Sequence, residues 1–304
     1  MDQKKTRRQH YVWRKYLAPW TTDGRVWCRR RDDVFQTDPM NIAQERDFYS
    51  PSPLTETDEH FLRMDAARTR RGDIIELVEE EISLRREMFA TLEDAKRRGD
   101  SERATVVEAL VHNSEERYQG MIEQAGAEVL DALVRGDIAW ASADATWRDF
   151  CLFFTTQYLR TKRIQESLRA NLESQAQRLG YSVDRVWSIS RLVDGARFAD
   201  GVHRNTSLVL IESPDAIEFI TGDQPTFNAK APTVSPSGIS EEHEFFYPVS
   251  PKRAVLLIDG QPRSQPCMRK ATASEVEKYN QVIRNVSLEQ VFARRREDLL
   301  TDRI

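Results

Sequence analysis

The fold class of this chain is decided by the stretch Ile74–Leu92, which reads IIELVEEEISLRREMFATL. Apolar residues recur along it at steps of three and four, at Ile75, Val78, Ile82, Phe89 and Leu92. That period is typical of an amphipathic helix with one broad apolar face. The stretch therefore predicts a long helix that packs against other helices.

The helical pattern continues on both sides of this stretch, over residues 54–181. Thr55 followed by Asp58 resembles a capping box. The tripeptide Arg-Gly-Asp occurs three times, at Arg71–Asp73, Arg98–Asp100 and Arg135–Asp137. We interpret each glycine as a helix C-cap and each aspartate as the start of the next helix, not as an adhesion motif. The repeats predict helix ends near residues 71, 98 and 135, and so several antiparallel helices.

Strand signals precede and follow this helical block. Before it, β-branched and aromatic residues are frequent in Gln9–Leu17 and Arg25–Arg31, with a turn at Asp23-Gly24. After it, strands are predicted over Val186–Ile189, Thr206–Glu212, Ala216–Ile220, Phe245–Pro248 and Ala254–Asp259. Capping boxes at Ser274/Glu277 and Ser287/Gln290 predict a helical C-terminus.

The order of strands, helices, strands and helix predicts an α+β fold. We expect an antiparallel sheet built from the N- and C-terminal strands, with a large inserted α-helical block and a C-terminal helix. The predicted segments are 1–53 (strands with a basic arm), 54–181 (helical block), 182–271 (strands that complete the sheet) and 272–304 (C-terminal helix). They form one compact unit or two subdomains, and the Pro- and Ser-rich span 230–242 is an exposed loop.

Composition excludes several classes of protein. Of 304 residues, 39% are hydrophobic and 31% are charged, which is enough apolar content for a packed core and excludes wholesale disorder. The longest apolar runs, such as Leu208–Ile211, are far shorter than the roughly 20 residues of a membrane span. Cys28, Cys151 and Cys267 lie far apart, which argues against a disulfide framework and a cysteine-based zinc site. No secretory signal is evident. We expect a soluble, cytoplasmic protein without a membrane partner.

Charge is concentrated at the N-terminus. The first 31 residues carry ten lysines and arginines against two aspartates, although the formal charge of the whole chain is -4. Five aromatic residues are interleaved with these cations: Tyr11, Trp13, Tyr16, Trp20 and Trp27. Cations with stacking rings are what single-stranded nucleic-acid binding needs. The alternative is a solvated basic arm whose aromatic residues pack inward.

Several motifs, in order along the chain, resemble the domain of unknown function 4238 family. They are QHYVWRKYL at Gln9–Leu17, DGRVW at Asp23–Trp27, NIA at Asn41–Ala43, DFY at Asp47–Tyr49, YLRT at Tyr158–Thr161, FITGDQP at Phe219–Pro225, YPVSP at Tyr247–Pro251 and YN at Tyr279–Asn280. The chain departs from the family pattern at Trp13 and Lys162, where proline is usual, and at Gly222, where serine is usual. The resemblance implies no settled activity. The family's bacterial and mobile genetic contexts imply phage defence or nucleic-acid processing.

Four polar residues within these motifs are candidates for chemistry: His10, Arg14, Arg160 and Asp223. If the N- and C-terminal strands share a sheet, alternation places His10 and Arg14 on one face, and Asp223 can meet His10. A carboxylate that fixes the imidazole tautomer makes histidine a general base. The two arginines can bind phosphate. This set suits metal-independent cleavage of RNA, a hydrolase activity that needs no cofactor.

Neighbouring motif residues are predicted to bind the substrate: Tyr11, Lys15, Thr161 and Gln224. A second enzymatic hypothesis places a divalent metal ion such as Mg²⁺ on His10, Glu45 and Asp223. No phosphate-binding loop, dinucleotide fingerprint or serine nucleophile elbow is present in the sequence.

Two non-catalytic alternatives remain open. The His–Asp pair and the arginines are equally suited to tying a sheet to the helical block. The protein is then a nucleic-acid or protein binding module, whose helical block can mediate a homo-oligomer or bind a partner protein. The last alternative is a small-molecule sensor with a pocket between sheet and helices.

Overall fold

The computed structural model describes residue 5 and residues 8–46, 51–230, 243–260 and 265–300. The helices are α1 (Arg14–Leu17), α2 (Glu56–Arg68), α3 (Gly72–Arg97), α4 (Ser101–Arg135), α5 (Asp144–Leu159), α6 (Lys162–Leu179), α7 (Val183–Asn205) and α8 (Ala273–Val286). The strands are β1 (Arg8–His10), β2 (Val26–Arg30), β3 (Asp33–Thr37), β4 (Gln44–Arg46), β5 (Thr206–Glu212), β6 (Thr221–Gly222), β7 (Phe227–Asn228), β8 (Glu244–Ser250), β9 (Arg253–Asp259), β10 (Cys267–Lys270) and β11 (Gln290–Ala293).

The predicted α+β class is confirmed, with a large helical block between N- and C-terminal strands and with α8 near the C-terminus. The strands form more than one sheet. A four-stranded sheet has the order β3-β2-β11-β6 and joins N-terminal to C-terminal strands through antiparallel pairs. A five-stranded sheet, β10-β5-β9-β8-β7, uses C-terminal strands alone, and its β10–β5 pair is parallel. Strands β1 and β4 form a third, two-stranded sheet.

The chain folds into two compact units. The first consists of Met1–Gln9, Glu45–Met121 and Ser167–Phe198, and we call it the helical unit. The second consists of His10–Gln44, Ile122–Glu166 and Ala199–Ile304, and we call it the sheet unit because it contains both larger sheets. No helix within the described residues is both long and apolar enough to cross a bilayer.

The core of the sheet unit forms where α8 packs with the strands. Tyr279 on α8 stacks on Phe246 of β8, with the ring centroids 4.2 Å apart. Val276 and Ile283 of α8 are fully buried in the same cluster, which also contains Val291 of β11. Burial of these side chains removes a continuous apolar surface from water, so α8 holds the C-terminal strands in place.

Local features predicted for helices α2 and α3 are found in the helical unit, with one exception. Val78 and Ile82 of the predicted stripe are buried in one cluster together with Ile74, whereas Ile75, the first residue of the predicted stripe, is exposed. Thr55 caps α2 through the expected box with Asp58. Helices α3 and α4 end near the predicted residues, and Gly99 follows α3 with φ of +70°, which a glycine C-cap favours.

The first Arg-Gly-Asp has a different backbone from the other two. Gly72 is the first residue of α3, not a cap, and the residue with positive φ there is Arg70. The position of the helix boundary is still the predicted one, since α2 ends at Arg68.

The strand predicted over Gln9–Leu17 is wrong beyond His10. Strand β1 ends at His10, Trp13 is the extended N-cap of α1, and Arg14 begins that helix. Tyr16 is therefore buried by a helical turn instead of by strand alternation. His10 and Arg14 do not share one face of a strand.

Three C-terminal predictions are also corrected. Val186–Ile189 lies in α7, where its apolar residues fit a helical stripe in the core of the helical unit. Ala216–Ile220 begins in a turn and belongs to no strand. The Ile220 N–H donates to Asn280 Oδ1, and the Phe219 carbonyl accepts from Trp20 Nε1. Residues after Ser287 form β11 instead of a further helix.

The predicted cap of the last helix is displaced by two residues. The Thr272 side chain accepts the Glu275 N–H and begins α8, where Ser274 and Glu277 were expected to do so. The predicted strand Thr206–Glu212 is confirmed as β5, and the two later strand predictions overlap β8 and β9. The predicted loop at 230–242 lies almost entirely outside the described residues.

Candidate functional site

His10 lies at the end of β1 in the sheet unit and is partly exposed as a residue. Burial lowers the pKa of its imidazole, and the positive charges of Arg14 and Arg160 lower it further, whereas the carbonyls of Met40 and Pro39 raise it. The resulting pKa of His10 is below the ordinary 6.5, so the imidazole is mostly uncharged at neutral pH.

The Nε2 atom of His10 is the distinctive atom of this site. It is buried and has no hydrogen-bond partner among the described residues. A carbonyl only accepts hydrogen bonds, so the ring nitrogen that faces Met40 and Pro39 carries the proton. We infer that Nε2 keeps its lone pair, which is the form a general base requires.

Arg160 holds the backbone at His10. It is the C-cap residue of α5, its side chain is buried, and its Nη2 donates to the His10 carbonyl at 2.5 Å. Its Nη1 donates to the carboxylate of Glu123 on α4. Burial raises the pKa of Glu123, while Arg160 and Arg14 lower it. Glu123 thus binds one terminal nitrogen of this guanidinium and the His10 carbonyl binds the other, although the sequence predicted that Arg160 binds phosphate.

Tyr247 lies close enough to Arg160 and Glu123 for both charges to act on its phenol. Its ring stacks on Tyr16 with centroids 5.2 Å apart, and it is buried. Burial raises the pKa of its phenol well above the ordinary value; Arg160 opposes this shift and Glu123 adds to it. The phenol is therefore a neutral hydroxyl beside a charged pair at every physiological pH.

Arg14 differs from Arg160 in being exposed. Among the described residues, no hydrogen bond or ion pair holds its side chain, so its guanidinium can bind an anion without first losing a partner. We call the group of His10, Arg14, Glu123, Arg160 and Tyr247 the His10 cluster. Its members lie in the sheet unit and act electrostatically on one another.

The structure does not pair Asp223 with His10. The Asp223 carboxylate accepts three backbone N–H groups, from Leu288 at 2.8 Å, Glu289 at 2.7 Å and Gln290 at 2.9 Å. Burial raises the pKa of Asp223 to about 6, against the lowering effect of these three donors, so the carboxylate is ionised at pH 7. Asp223 fixes the turn that leads from α8 into β11.

The predicted substrate-binding residues are held inside the sheet unit. Thr161 and Gln224 are buried and hydrogen-bond each other, and Gln224 Nε2 also donates to the Thr226 carbonyl at 2.6 Å. The buried Tyr11 hydroxyl accepts from Gln290 Nε2 at 3.3 Å. Lys15 is half-buried and pairs with Asp131 at 2.7 Å. Their role in substrate binding stays a prediction.

The N-terminal aromatic residues mostly pack inward. Tyr11, Tyr16 and Trp20 are buried, and only Trp13 and Trp27 of the five retain partial exposure. Trp13 packs edge-on against Phe153, with the ring centroids 6.0 Å apart. The base-stacking surface expected from the sequence is thereby reduced to two partly exposed indoles.

The alternative metal site is not assembled. Within the ranges that the structure describes, no three histidine, cysteine, aspartate or glutamate side chains are grouped to hold one metal ion, so His10, Glu45 and Asp223 do not form such a set. Two histidines elsewhere do contact a carboxylate: His203 lies 2.9 Å from Asp144, and His243 lies 3.4 Å from Asp259.

Sequence reasoning missed Glu123 and the environment of Tyr247. A signal for Glu123 exists, because it stands four residues after the buried Gln119 and four before the buried Ala127 of α4. A carboxylate on the buried stripe of a helix needs a cationic partner. That partner is Arg160, which lies 37 residues along the chain.

The chain belongs to the family described as protein of unknown function DUF4238, whose model matches residues 8–297. No curated protein matches the chain. No solved structure matches it either.

Proposed function

We propose that this member of the DUF4238 family processes nucleic acid and cleaves RNA without a metal ion. In this proposal His10 is the general base and Arg14 is the cation that binds the scissile phosphate. The observation that carries the proposal is the Nε2 atom of His10, which has no hydrogen-bond partner among the described residues. The positive charges of Arg14 and Arg160 lower the pKa of this imidazole and so favour its uncharged form.

The proposed reaction is an internal transesterification. Nε2 of His10 takes the proton of the ribose 2′-hydroxyl, and the 2′-oxygen attacks phosphorus. The bond from phosphorus to the 5′-oxygen breaks, the 5′-oxygen takes a proton from water, and a 2′,3′-cyclic phosphate remains. The Arg14 guanidinium stabilises the extra negative charge on the phosphate oxygens as the new bond forms.

The other cluster members have positioning roles in this proposal. Arg160 fixes the His10 backbone through the His10 carbonyl, and Glu123 neutralises Arg160. Nε2 of His10 is shielded from solvent, so the atoms that cover it have to move before a bound RNA can reach it. Arg14, which is exposed and not ion-paired with a described residue, can turn toward the incoming phosphate as this happens.

The test is incubation of purified protein with labelled RNA and DNA in EDTA and in magnesium. The variants are His10→Gln and Arg14→Gln, with Lys15→Gln as a matched control that removes the adjacent, already paired cation. The proposal predicts RNA cleavage in EDTA, a loss of about 10²–10⁴-fold in rate for His10→Gln, and near-normal rates for Lys15→Gln. Equal rates for wild type and His10→Gln would refute it, as would cleavage of DNA, which has no 2′-hydroxyl.

A second candidate function is a non-catalytic nucleic-acid binding module. It is favoured by the hydrogen bonds that Asp223 and Gln224 form within the protein, because these bonds give both motif residues a structural role. A binding module would bind RNA with an affinity that falls steeply with salt and survives His10→Gln. Filter binding at two salt concentrations, beside the cleavage assay, separates the two candidates.

The proposed setting is the bacterial cytoplasm, in defence against phage or mobile elements. It is supported by Cys28, Cys151 and Cys267, which form no disulfide in the described structure, as in a reducing compartment. Expression of the protein and of His10→Gln in a phage-challenged host tests it: protection by the wild type alone is the expected result.

A further inference from the structure

A cavity of about 420 Å³ lies within the helical unit, lined by side chains of α3, α4 and α7. Its apolar lining residues are Leu84, Met88, Leu110, Met121, Ile189 and Leu192. The volume falls in the roughly 300–1,000 Å³ range of small-molecule sites, and methionines give such walls an adaptable surface. No residue of the His10 cluster lines the cavity, so its ligand is a question separate from the RNA-cleaving site.

One side of this cavity is formed by a buried cation. Arg85 of α3 is 9% exposed, and its guanidinium donates to the Arg185 carbonyl at 3.1 Å and to Ser188 Oγ at 2.6 Å. Both acceptors are uncharged. Burial lowers the pKa of Arg85, and the nearby Glu81, one helical turn earlier, opposes this shift. A buried charge is ordinarily paired with an opposite charge, and here the hydrogen-bonded acceptors leave that pairing incomplete.

The arginines at and next to the cavity outnumber its carboxylates. Glu115 forms an ion pair with the buried Arg191. Burial raises the pKa of Glu81, and the charge of Arg85 opposes this shift. Arg117 adds a second lining cation. Counted with Arg191, which Glu115 neutralises, three arginines stand against the two glutamates Glu81 and Glu115, an excess of one positive charge.

We propose that this cavity binds a small amphipathic carboxylic acid. The carboxylate lies against the Arg85 guanidinium, where a charge-assisted hydrogen bond completes the pairing. The aliphatic or aromatic body lies against Met88 and Leu110, on the apolar wall. A polyanion such as a nucleotide is disfavoured, since the apolar walls would desolvate charges that they cannot pair.

The probes are octanoate and decanoate, with 1-octanol as the uncharged match. Calorimetry compares wild type with Arg85→Met, which removes the cation, and with Leu110→Trp, which fills the cavity but keeps Arg85. Arg103→Met is the control, because Arg103 is an exposed cation of α4 that does not line the cavity. Circular dichroism establishes that each variant is folded before titration.

The proposal predicts that both carboxylates bind the wild type and that Arg85→Met weakens them about tenfold or more, with little change for 1-octanol. Leu110→Trp weakens all three probes, and Arg103→Met weakens none. If Arg85→Met does not fold, Leu110→Trp alone decides whether the probes occupy the cavity. Absence of binding at millimolar carboxylate, or equal binding by wild type and both cavity variants, overturns the proposal.

Discussion

His10 and Asp223 each lie in a family-like motif, and the sequence predicted both as catalytic residues, yet their surroundings in the fold differ. Asp223 is 4% exposed and its carboxylate accepts three backbone N–H groups. His10 keeps an Nε2 atom with no hydrogen-bond partner among the described residues. A polar group whose hydrogen bonds are all made stabilises a fold, whereas one with unused capacity is available to a substrate.

The same comparison separates the two arginines. Arg160 is buried and bonded to Glu123 and to the His10 carbonyl, while Arg14 is exposed and not ion-paired with any described residue. Residue type alone made them equivalent phosphate ligands. The hydrogen bonds of Arg160 give it a structural role, whereas Arg14 forms no such bond with a described residue.

Arg160→Met is expected to give the largest loss of stability. The substitution leaves the buried Glu123 without its partner and the His10 carbonyl without its donor, at a cost of about 3–5 kcal/mol. Urea unfolding followed by circular dichroism measures it. Lys162→Met, which removes a half-exposed pair with Glu289, is the control and is expected to cost less than about 1 kcal/mol. Equal losses for both variants would contradict the contrast between buried and exposed cations.

Asp223→Ala comes next, at about 3 kcal/mol, because it leaves three backbone N–H groups near β11 without their acceptor. Asp215→Ala removes a fully exposed carboxylate and is expected to change the free energy of unfolding by less than about 0.5 kcal/mol. The unfolding midpoints of both variants are compared with the wild type. An Asp223→Ala variant as stable as the wild type would contradict the structural role of Asp223.

Gly222→Ser is expected to cost about 1–3 kcal/mol through overpacking. A Cβ at Gly222 would lie 2.0 Å from Ser287 Oγ and 3.0 Å from the Gln290 carbonyl oxygen. Thermal unfolding of Gly222→Ser is compared with Gly201→Ser, whose Cβ would meet no atom within 4 Å. The double variant Gly222→Ser with Ser287→Ala should recover part of the loss. The prediction fails if Gly222→Ser melts with the wild type.

Arg14→Gln has the smallest expected effect on stability, within about 0.5 kcal/mol, since it removes an exposed side chain. It should raise the His10 pKa toward 6.5, because the Arg14 charge lowers that pKa in the wild type. Histidine-detected NMR titration measures the shift, with Lys15→Gln as the control expected to move it less. An unchanged His10 pKa in Arg14→Gln would show that the two side chains do not interact.

The sequence predicted the fold best where one periodicity ran without interruption. Helix α3 and strand β5 are found where they were expected, although the buried stripe of α3 begins at Ile74 and not at Ile75. Short apolar runs gave wrong predictions. Val186–Ile189 was predicted as a strand but lies in α7, because four residues are too few to distinguish a strand from one side of a helix. The spacing of Ser287 and Gln290 fits a capping box, yet the backbone donors of residues 288–290 are bound by Asp223, which favours β11.

The candidate site was harder to predict than the fold. Motif spacing identified His10, Arg14 and Arg160, which do lie within mutual electrostatic reach. It could not show that Arg160 pairs with Glu123, because that contact depends on how α4 and α5 pack. Nor could it show that Asp223 bonds to residues 288–290, more than sixty positions later.

The most direct test of the central claim is the single-turnover rate of RNA cleavage in EDTA, measured from pH 5 to pH 8 for wild type and His10→Gln. The lowered pKa of His10 makes the neutral base available above that pKa. The wild-type rate should therefore rise with pH through a value below 6.5 and stay level above it, while His10→Gln is slow throughout. A His10→Gln protein that is folded and cleaves RNA with the wild-type rate and pH profile would contradict the account.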